Sequence, residues 1–171
     1  MPRYVAFLRG VSPMNAKMPE LKRCFELAGF AQVKTLLSSG NVVFTSPKAA
    51  ERLLSRKAEE AMQAELGRAF STFIRSADAL ASLIDSDPYA HWDLPHGAKR
   101  VVTFLRTDMA PAIELPFMQD DTCIWQVRGT EVLSSYVPGP KGPLFMRLLE
   151  RTFGSDVTTR TWDTVKKCAC A

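Results

Sequence analysis

The chain begins with a run of apolar residues at positions 4–8 that ends at Arg9-Gly10. A continuous apolar run of this length is typical of a strand that is buried on both faces. Apolar side chains then recur at helical spacing between positions 21 and 28, and Gly29 follows where a helix commonly ends. The pattern therefore predicts a buried strand followed by an amphipathic helix.

The next segments predict a hairpin, a long helix and another strand. Residues 33–37 and 42–45 are rich in β-branched and apolar side chains, and residues 38–41 (SSGN) between them suit a tight turn. Residues 46–67 carry an apolar helical face after a Ser-Pro start, and residues 70–75 again favour a strand. The order β-α-β-β-α-β is that of a ferredoxin-like fold.

A similar order of elements follows in the remainder of the chain. Residues 77–84 predict a short helix, and residues 85–98, rich in Asp, Pro and His, predict a connector. The later predictions are a strand at 101–105, a proline-interrupted helix at 108–118, strands at 123–127 and 132–137, a helix from Pro143 through Phe153, and a last helix from Arg160 that Thr158 and Thr159 can cap.

Two short sequence matches indicate an internal duplication. VAFLR at 5–9 matches VTFLR at 102–106, and RLLSR at 52–56 matches RLLER at 147–151. Each match is short, so chance resemblance remains the alternative. We predict an α+β protein with two ferredoxin-like βαββα(β) halves in tandem and a C-terminal helix. The predicted domains are residues 1–84 as the first half, 85–98 as the connector, and 99–171 as the second half with the C-terminal helix.

Composition and charge narrow the class of protein. Of 171 residues, 46% are apolar and 23% are charged, which is typical of a folded globular protein and excludes disordered and fibrous classes. The net charge of +4 mildly favours anionic partners without the basic tracts of a dedicated nucleic-acid binder. The first apolar stretch is too short for a secretory or membrane segment. We therefore expect a cytoplasmic protein with no membrane partner.

The cysteines and histidines do not predict a cofactor. The four cysteines lack the spacing of a disulfide framework, so we expect reduced thiols. Cys168 and Cys170 have no second cysteine pair nearby, and a structural zinc site needs four ligands. His91 and His96 both lie in the predicted connector, where a metal site is the alternative to plain solvated side chains. No metal or other cofactor is predicted.

Four segments resemble one protein family. They are YVAFLRGV at 4–11, LAGF at 27–30, VKT at 33–35 followed by SGNVVF at 39–44, and TTRTWDTV at 158–165. Together they resemble the domain of unknown function 1697 family of bacterial proteins. The resemblance implies an α+β fold with ferredoxin-like halves and no established activity. The chain departs from the family pattern at residues 12–16 (SPMNA), where relatives have an asparagine and a glycine pair, and in its Cys168-Ala169-Cys170 tail.

No established catalytic motif occurs, so the sequence leaves open whether the protein is an enzyme. The candidate ligand-binding residues are the polar members of the family-like segments: Arg9, Ser39, Gly40, Asn41, Thr159, Arg160 and Trp162. A guanidinium, turn amides and a helix N-terminus can each hold an anion, so we expect these residues to come together around a small anionic ligand. The alternatives are a paired strand end, a plain hairpin turn, and a helix cap with a buried tryptophan.

Two other functions remain as alternatives to binding of a small anion. One is a nucleic-acid-binding module, and the other is a protein-interaction scaffold without catalytic activity. Residues 4–8 and 101–105 are apolar on both faces, which predicts covered sheets rather than an open platform for nucleic acid. Nucleic acid is therefore not the expected partner, and the sequence leaves the oligomeric state open.

Overall fold

A computed structural model describes residues 1–140 and 144–171. The chain has a mixed α+β fold, with two antiparallel sheets and five α-helices among the described residues. It divides into two compact units. The first unit comprises Met1–Leu83 and Lys166–Ala171, and the second comprises Ile84–Val165.

The first unit contains a four-stranded sheet whose strand order is β2-β3-β1-β4. Its central strand β1 pairs antiparallel with β3 on one side and β4 on the other, which confirms the interior position predicted for this strand. The elements that begin in this unit are β1 (Arg3–Leu8), α1 (Met18–Leu27), β2 (Ala31–Leu36), β3 (Asn41–Thr45), α2 (Glu51–Leu66), β4 (Thr72–Ser76) and α3 (Ala77–Asp85).

Both faces of β1 are buried. Ala6 and Leu8 belong to a hydrophobic core that also contains Phe25 of α1 and Leu54 of α2, so one face of the sheet packs against these helices. Val5 and Phe7 alternate with them, point to the opposite face, and are fully buried as well. The continuous apolar run of β1 thus follows from burial on two sides.

The second unit contains a five-stranded sheet with the order β6-β7-β8-β5-β9. Strand β5 lies between β8 and β9, again in the interior predicted for it. The elements that begin here are a 3-10 helix (Pro88–His91), β5 (Lys99–Phe104), β6 (Phe117–Gln119), β7 (Thr122–Arg128), β8 (Glu131–Tyr136), α4 (Leu144–Phe153), β9 (Thr158–Thr161) and α5 (Trp162–Cys170). The start predicted for α4 at Pro143 lies outside the described residues.

Two predictions for this unit are wrong. Residues 105–116 form no regular element and residues 117–119 form β6, where a helix at 108–118 was expected. Pro111 and Pro116 lack the N–H group that a helix requires, which outweighs the apolar spacing. Residues 158–161 form strand β9 rather than a helix cap, because their β-branched threonines pair with β5. Helix α5 consequently begins at Trp162, two residues later than expected.

The segment predicted as a connector, residues 85–98, belongs to the second unit. It contains the 3-10 helix, in which Tyr89 is only 4% exposed. The Tyr89 hydroxyl lies 2.5 Å from the carbonyl oxygen of Val101 and 3.1 Å from that of Ser134. Burial raises the pKa of the Tyr89 phenol far above its ordinary value. This segment therefore packs onto the backbone of β5 and β8.

Candidate functional site

Arg9 and the turn at residues 39–41 lie at the same end of the first sheet. The Leu8 N–H donates to the Gly40 carbonyl at 2.8 Å, and the Arg9 N–H donates to the Ser71 carbonyl at the same distance. These two backbone bonds extend the pairing of β1 past its last residue. The backbone of Arg9 and the turn therefore both lie beside the last residue of β1.

The turn residues also have structural roles. Asn41 is fully buried, and its Nδ2 donates to the Leu36 carbonyl and to the Ser39 hydroxyl, each at 3.0 Å. Gly40 has φ +83°, and a Cβ there would lie 2.9 Å from the Cβ of Val11. Only glycine suits that backbone conformation and that close approach. The part of this turn in ligand binding stays a prediction.

Thr159, Arg160 and Trp162 belong to the second unit. Arg160 is 8% exposed and lies within β9, where its Nη1 donates to the Thr158 hydroxyl at 2.7 Å and to the Thr159 carbonyl at 2.9 Å. Thr159 shares a hydroxyl hydrogen bond of 2.8 Å with Thr103. Trp162 is buried edge-on against Tyr89, with ring centroids 5.1 Å apart. Arg160 therefore lies within the strand that precedes α5 and not at the first position of the helix. A single anion site that Arg160 shares with Arg9 stays a prediction.

A different pair of basic residues lies at the start of α5. The β5–β9 register places Val101 opposite Thr161, so the residues just before Val101 lie beside the residues just after Thr161. A cavity of about 300 Å³ opens there. It is lined by Ala98, Lys99, Arg100, Thr161, Trp162 and Asp163.

The electrostatics of this cavity favour an anion. Lys99 is exposed and Arg100 is partly buried, and the Arg100 guanidinium carbon lies over the Tyr89 ring, 5.9 Å from its centroid. Within residues 1–140 and 144–171, neither Lys99 nor Arg100 forms an ion pair. The positive end of the α5 dipole adds to their field, whereas the carboxylate of Asp163 offsets part of it. We call this site, formed by Lys99, Arg100 and the start of α5, the α5 cavity.

Lys99 and Arg100 are not among the candidate residues predicted from the sequence, because both precede the apolar run that marked β5. One signal was available in the sequence. Arg75-Ser76-Ala77-Asp78 and Arg160-Thr161-Trp162-Asp163 share the pattern Arg-Ser/Thr-x-Asp, and each spans a junction between a strand and a helix. When these two junctions are aligned, the strands that pair beside them are aligned as well, and the residues at the starts of β1 and β5 correspond.

The other side chains that can carry chemistry are the carboxylates, cysteines and histidines. No three His, Cys, Asp or Glu side chains come together as a metal site in the described part of the chain. No disulfide joins any of the four cysteines within the described residues, and Cys170 alone among them is exposed. His91 and His96 are both exposed. No helix in the described ranges combines the length and apolarity needed to cross a bilayer.

Comparison with known proteins places the chain in a family. The model of the family described as "Protein of unknown function (DUF1697)" matches residues 1–129, which include Arg9, the turn, Lys99 and Arg100. The chain belongs to this family. No curated protein matches it significantly.

A solved structure has a similar fold. The conserved bacterial protein SP0830 from Streptococcus pneumoniae matches with a TM-score of 0.72 and 18% sequence identity. The match covers 99% of this chain and 97% of that chain. At this level of identity, the likeness bears on the fold alone.

Proposed function

We propose that this protein binds a small anion in the α5 cavity. The observation that carries the proposal is that Lys99, Arg100 and the first turn of α5 line one cavity, with no carboxylate partner for either cation among the described residues. Cationic side chains beside a helix N-terminus attract anions through both charge and oriented N–H groups.

The size and charge of the cavity limit the ligand. A volume of about 300 Å³ lies at the small end of ligand pockets, so it suits a small molecule or the anionic group of a larger one. Two cations against one carboxylate, Asp163, leave one excess positive charge in the lining. The α5 cavity is therefore matched to an anionic group of low charge.

We further propose that the two units are ferredoxin-like halves related by duplication. The order β2-β3-β1-β4 in the first sheet supports this, because it is the order of a βαββαβ unit. The second sheet contains β7-β8-β5-β9 in the corresponding order, with β6 added at one edge and an irregular segment in place of the first helix. If the units are duplicated, residues at equivalent positions of the two units have similar structural environments.

The test of anion binding is a titration with inorganic phosphate at constant ionic strength. Wild-type protein at a hundredfold excess over the dissociation constant should gain about 2.7 kcal/mol of stability. For a chain of this length, that gain corresponds to roughly 5–10 °C in Tm. Arg100→Gln should abolish the shift, whereas Arg147→Gln, which changes an exposed arginine on α4, should retain it. A wild-type Tm that does not respond to phosphate or to acetate contradicts the proposal.

A second measurement addresses the nucleic-acid alternative. Binding of a single-stranded oligonucleotide to wild type and to Arg100→Gln should be weak, and it should disappear at moderate salt because only diffuse phosphate attraction is expected. Submicromolar binding near physiological salt that survives the substitution would place nucleic-acid binding ahead of small-anion binding.

A further inference from the structure

In each unit, an arginine lies near the start of the first strand, directly before the residue that pairs with the end of the last strand. Tyr4 pairs with Ser76 and Val101 pairs with Thr161, so Arg3 and Arg100 occupy corresponding positions. The alignment of VAFLR with VTFLR gives the same correspondence. The two arginines therefore provide an internal comparison of one structural position in two settings.

The junctions opposite these arginines are also alike. Ser76 and Thr161 each accept a hydrogen bond from the N–H group three residues later, at 3.1 and 3.2 Å, and each is followed by a nine-residue helix. The preceding residues, Arg75 and Arg160, are both 8% exposed, and each donates at 2.9 Å to the carbonyl of the residue before it. The similarity thus extends to side-chain hydrogen bonding.

The first unit shows what its arginine binds. One Arg3 nitrogen donates to the carbonyl oxygen of Ala169 at 2.6 Å, and the other donates to the carbonyl oxygen of Ala171. These acceptors lie in the last turn of α5 and directly after it, where unsatisfied carbonyl groups carry partial negative charge. The guanidinium at this position therefore binds two backbone oxygens at the end of a helix.

In the second unit the corresponding guanidinium has no such acceptor. Within the described ranges, Arg100 contacts the Tyr89 ring face and donates no side-chain hydrogen bond. Lys99 stands where the first unit has Pro2, so this position has one cation more than its counterpart. The additional cation favours an occupant with a full negative charge.

From this comparison we infer that the α5 cavity recognises a carboxylate, which Arg100 binds through two parallel N–H···O bonds and Lys99 neutralises. The inference rests on the proposed anion-binding function and names the class of ligand. A planar carboxylate matches the guanidinium fork, and its single charge equals the excess charge of the lining. Phosphate, which is largely dianionic at neutral pH, is less well matched because Asp163 lies in the same cavity. The carboxylate can belong to a small molecule or to the end of a peptide.

The experiment compares four probes by calorimetry at constant ionic strength: inorganic phosphate, acetate, N-acetyl-trialanine, and its carboxamide. Wild type should bind at least one carboxylate tenfold more tightly than phosphate, and the carboxamide at least tenfold more weakly than the free peptide. Acetate equal to the peptide indicates a small-molecule source, whereas a tighter peptide indicates a chain end. Both of these results support the inference.

Two variants separate charge from geometry. Arg100→Lys keeps the charge and removes the fork, so it should lose the preference for carboxylate over phosphate, and Arg147→Gln should behave as wild type. Tm values without ligand verify that the variants are folded. Phosphate binding that exceeds carboxylate binding, with sensitivity to Arg100→Gln, overturns the inference and leaves the proposed function standing. Binding of none of the anions overturns both.

Discussion

Replacing Arg3 with alanine should destabilise the protein, because it removes both hydrogen bonds to the carbonyls of Ala169 and Ala171. Hydrogen bonds from a charged donor contribute about 1.5–3 kcal/mol each, and the lower value applies here because Arg3 is only partly buried. Loss of a cation at a helix C-terminus adds about 0.3–1 kcal/mol. We therefore expect a loss of about 3–4 kcal/mol, or roughly 6–16 °C in Tm.

Arg100→Ala is the matched control, since it changes the corresponding position in the second unit. Its guanidinium contacts the Tyr89 ring and donates no side-chain hydrogen bond within the described residues. Loss of a partly exposed cation–π contact costs below about 1 kcal/mol. Urea unfolding of both variants without added anions gives the comparison. Equal losses for the two variants, or a loss below about 0.5 kcal/mol for Arg3→Ala, would refute the reasoning.

Three further predictions concern thiol reactivity, turn geometry and pH. Alkylation at pH 8 should modify exposed Cys170 first, because burial slows Cys123 and raises its pKa to about 11; a fast phase that persists in Cys170→Ser would contradict this. Gly40→Ala should lower the free energy of unfolding in urea by about 2–4 kcal/mol, because a Cβ at position 40 meets packed side chains. Gly67→Ala should lower it by only about 1 kcal/mol, because a Cβ at position 67 meets no neighbouring atoms. The unfolding free energy should fall as pH rises above about 10, since the Tyr89 phenol ionises more readily in the unfolded chain. Tyr89→Phe should reduce that fall. A variant whose stability depends on pH as steeply as that of wild type would contradict this prediction.

Much of the fold was predictable because burial imposes a regular period on the sequence. The two-sided burial of Val5 and Ala6 requires an unbroken apolar run, and a run of that kind predicts an interior strand. The irregular segment at 105–116 was predicted less well. Its apolar spacing resembled a helix, although its two prolines remove the hydrogen bonds that a helix needs.

The candidate site was harder to predict, because it depends on strand register. Arg100 and Asp163 are far apart in sequence and line one cavity only because Val101 pairs with Thr161. Hydrophobic periodicity does not determine which residues of two strands lie opposite each other. Arg160 was selected as a helix-flanking cation, and its burial within β9 depends on that same register.

Arg3 and Arg100 occupy corresponding strand positions, and under the proposed function one serves stability and the other serves binding. In the first unit, the Arg3 guanidinium is bound to carbonyl oxygens of its own chain, so its hydrogen-bonding capacity stabilises the folded state. In the second unit, Lys99 and Arg100 line one cavity together with Asp163, so the lining holds two cations and one carboxylate. Repulsion between neighbouring cations weakens with added salt and is removed by a bound anion. The stability of the protein should therefore respond to the identity of the anion more strongly than to ionic strength, and Lys99→Gln should reduce that response.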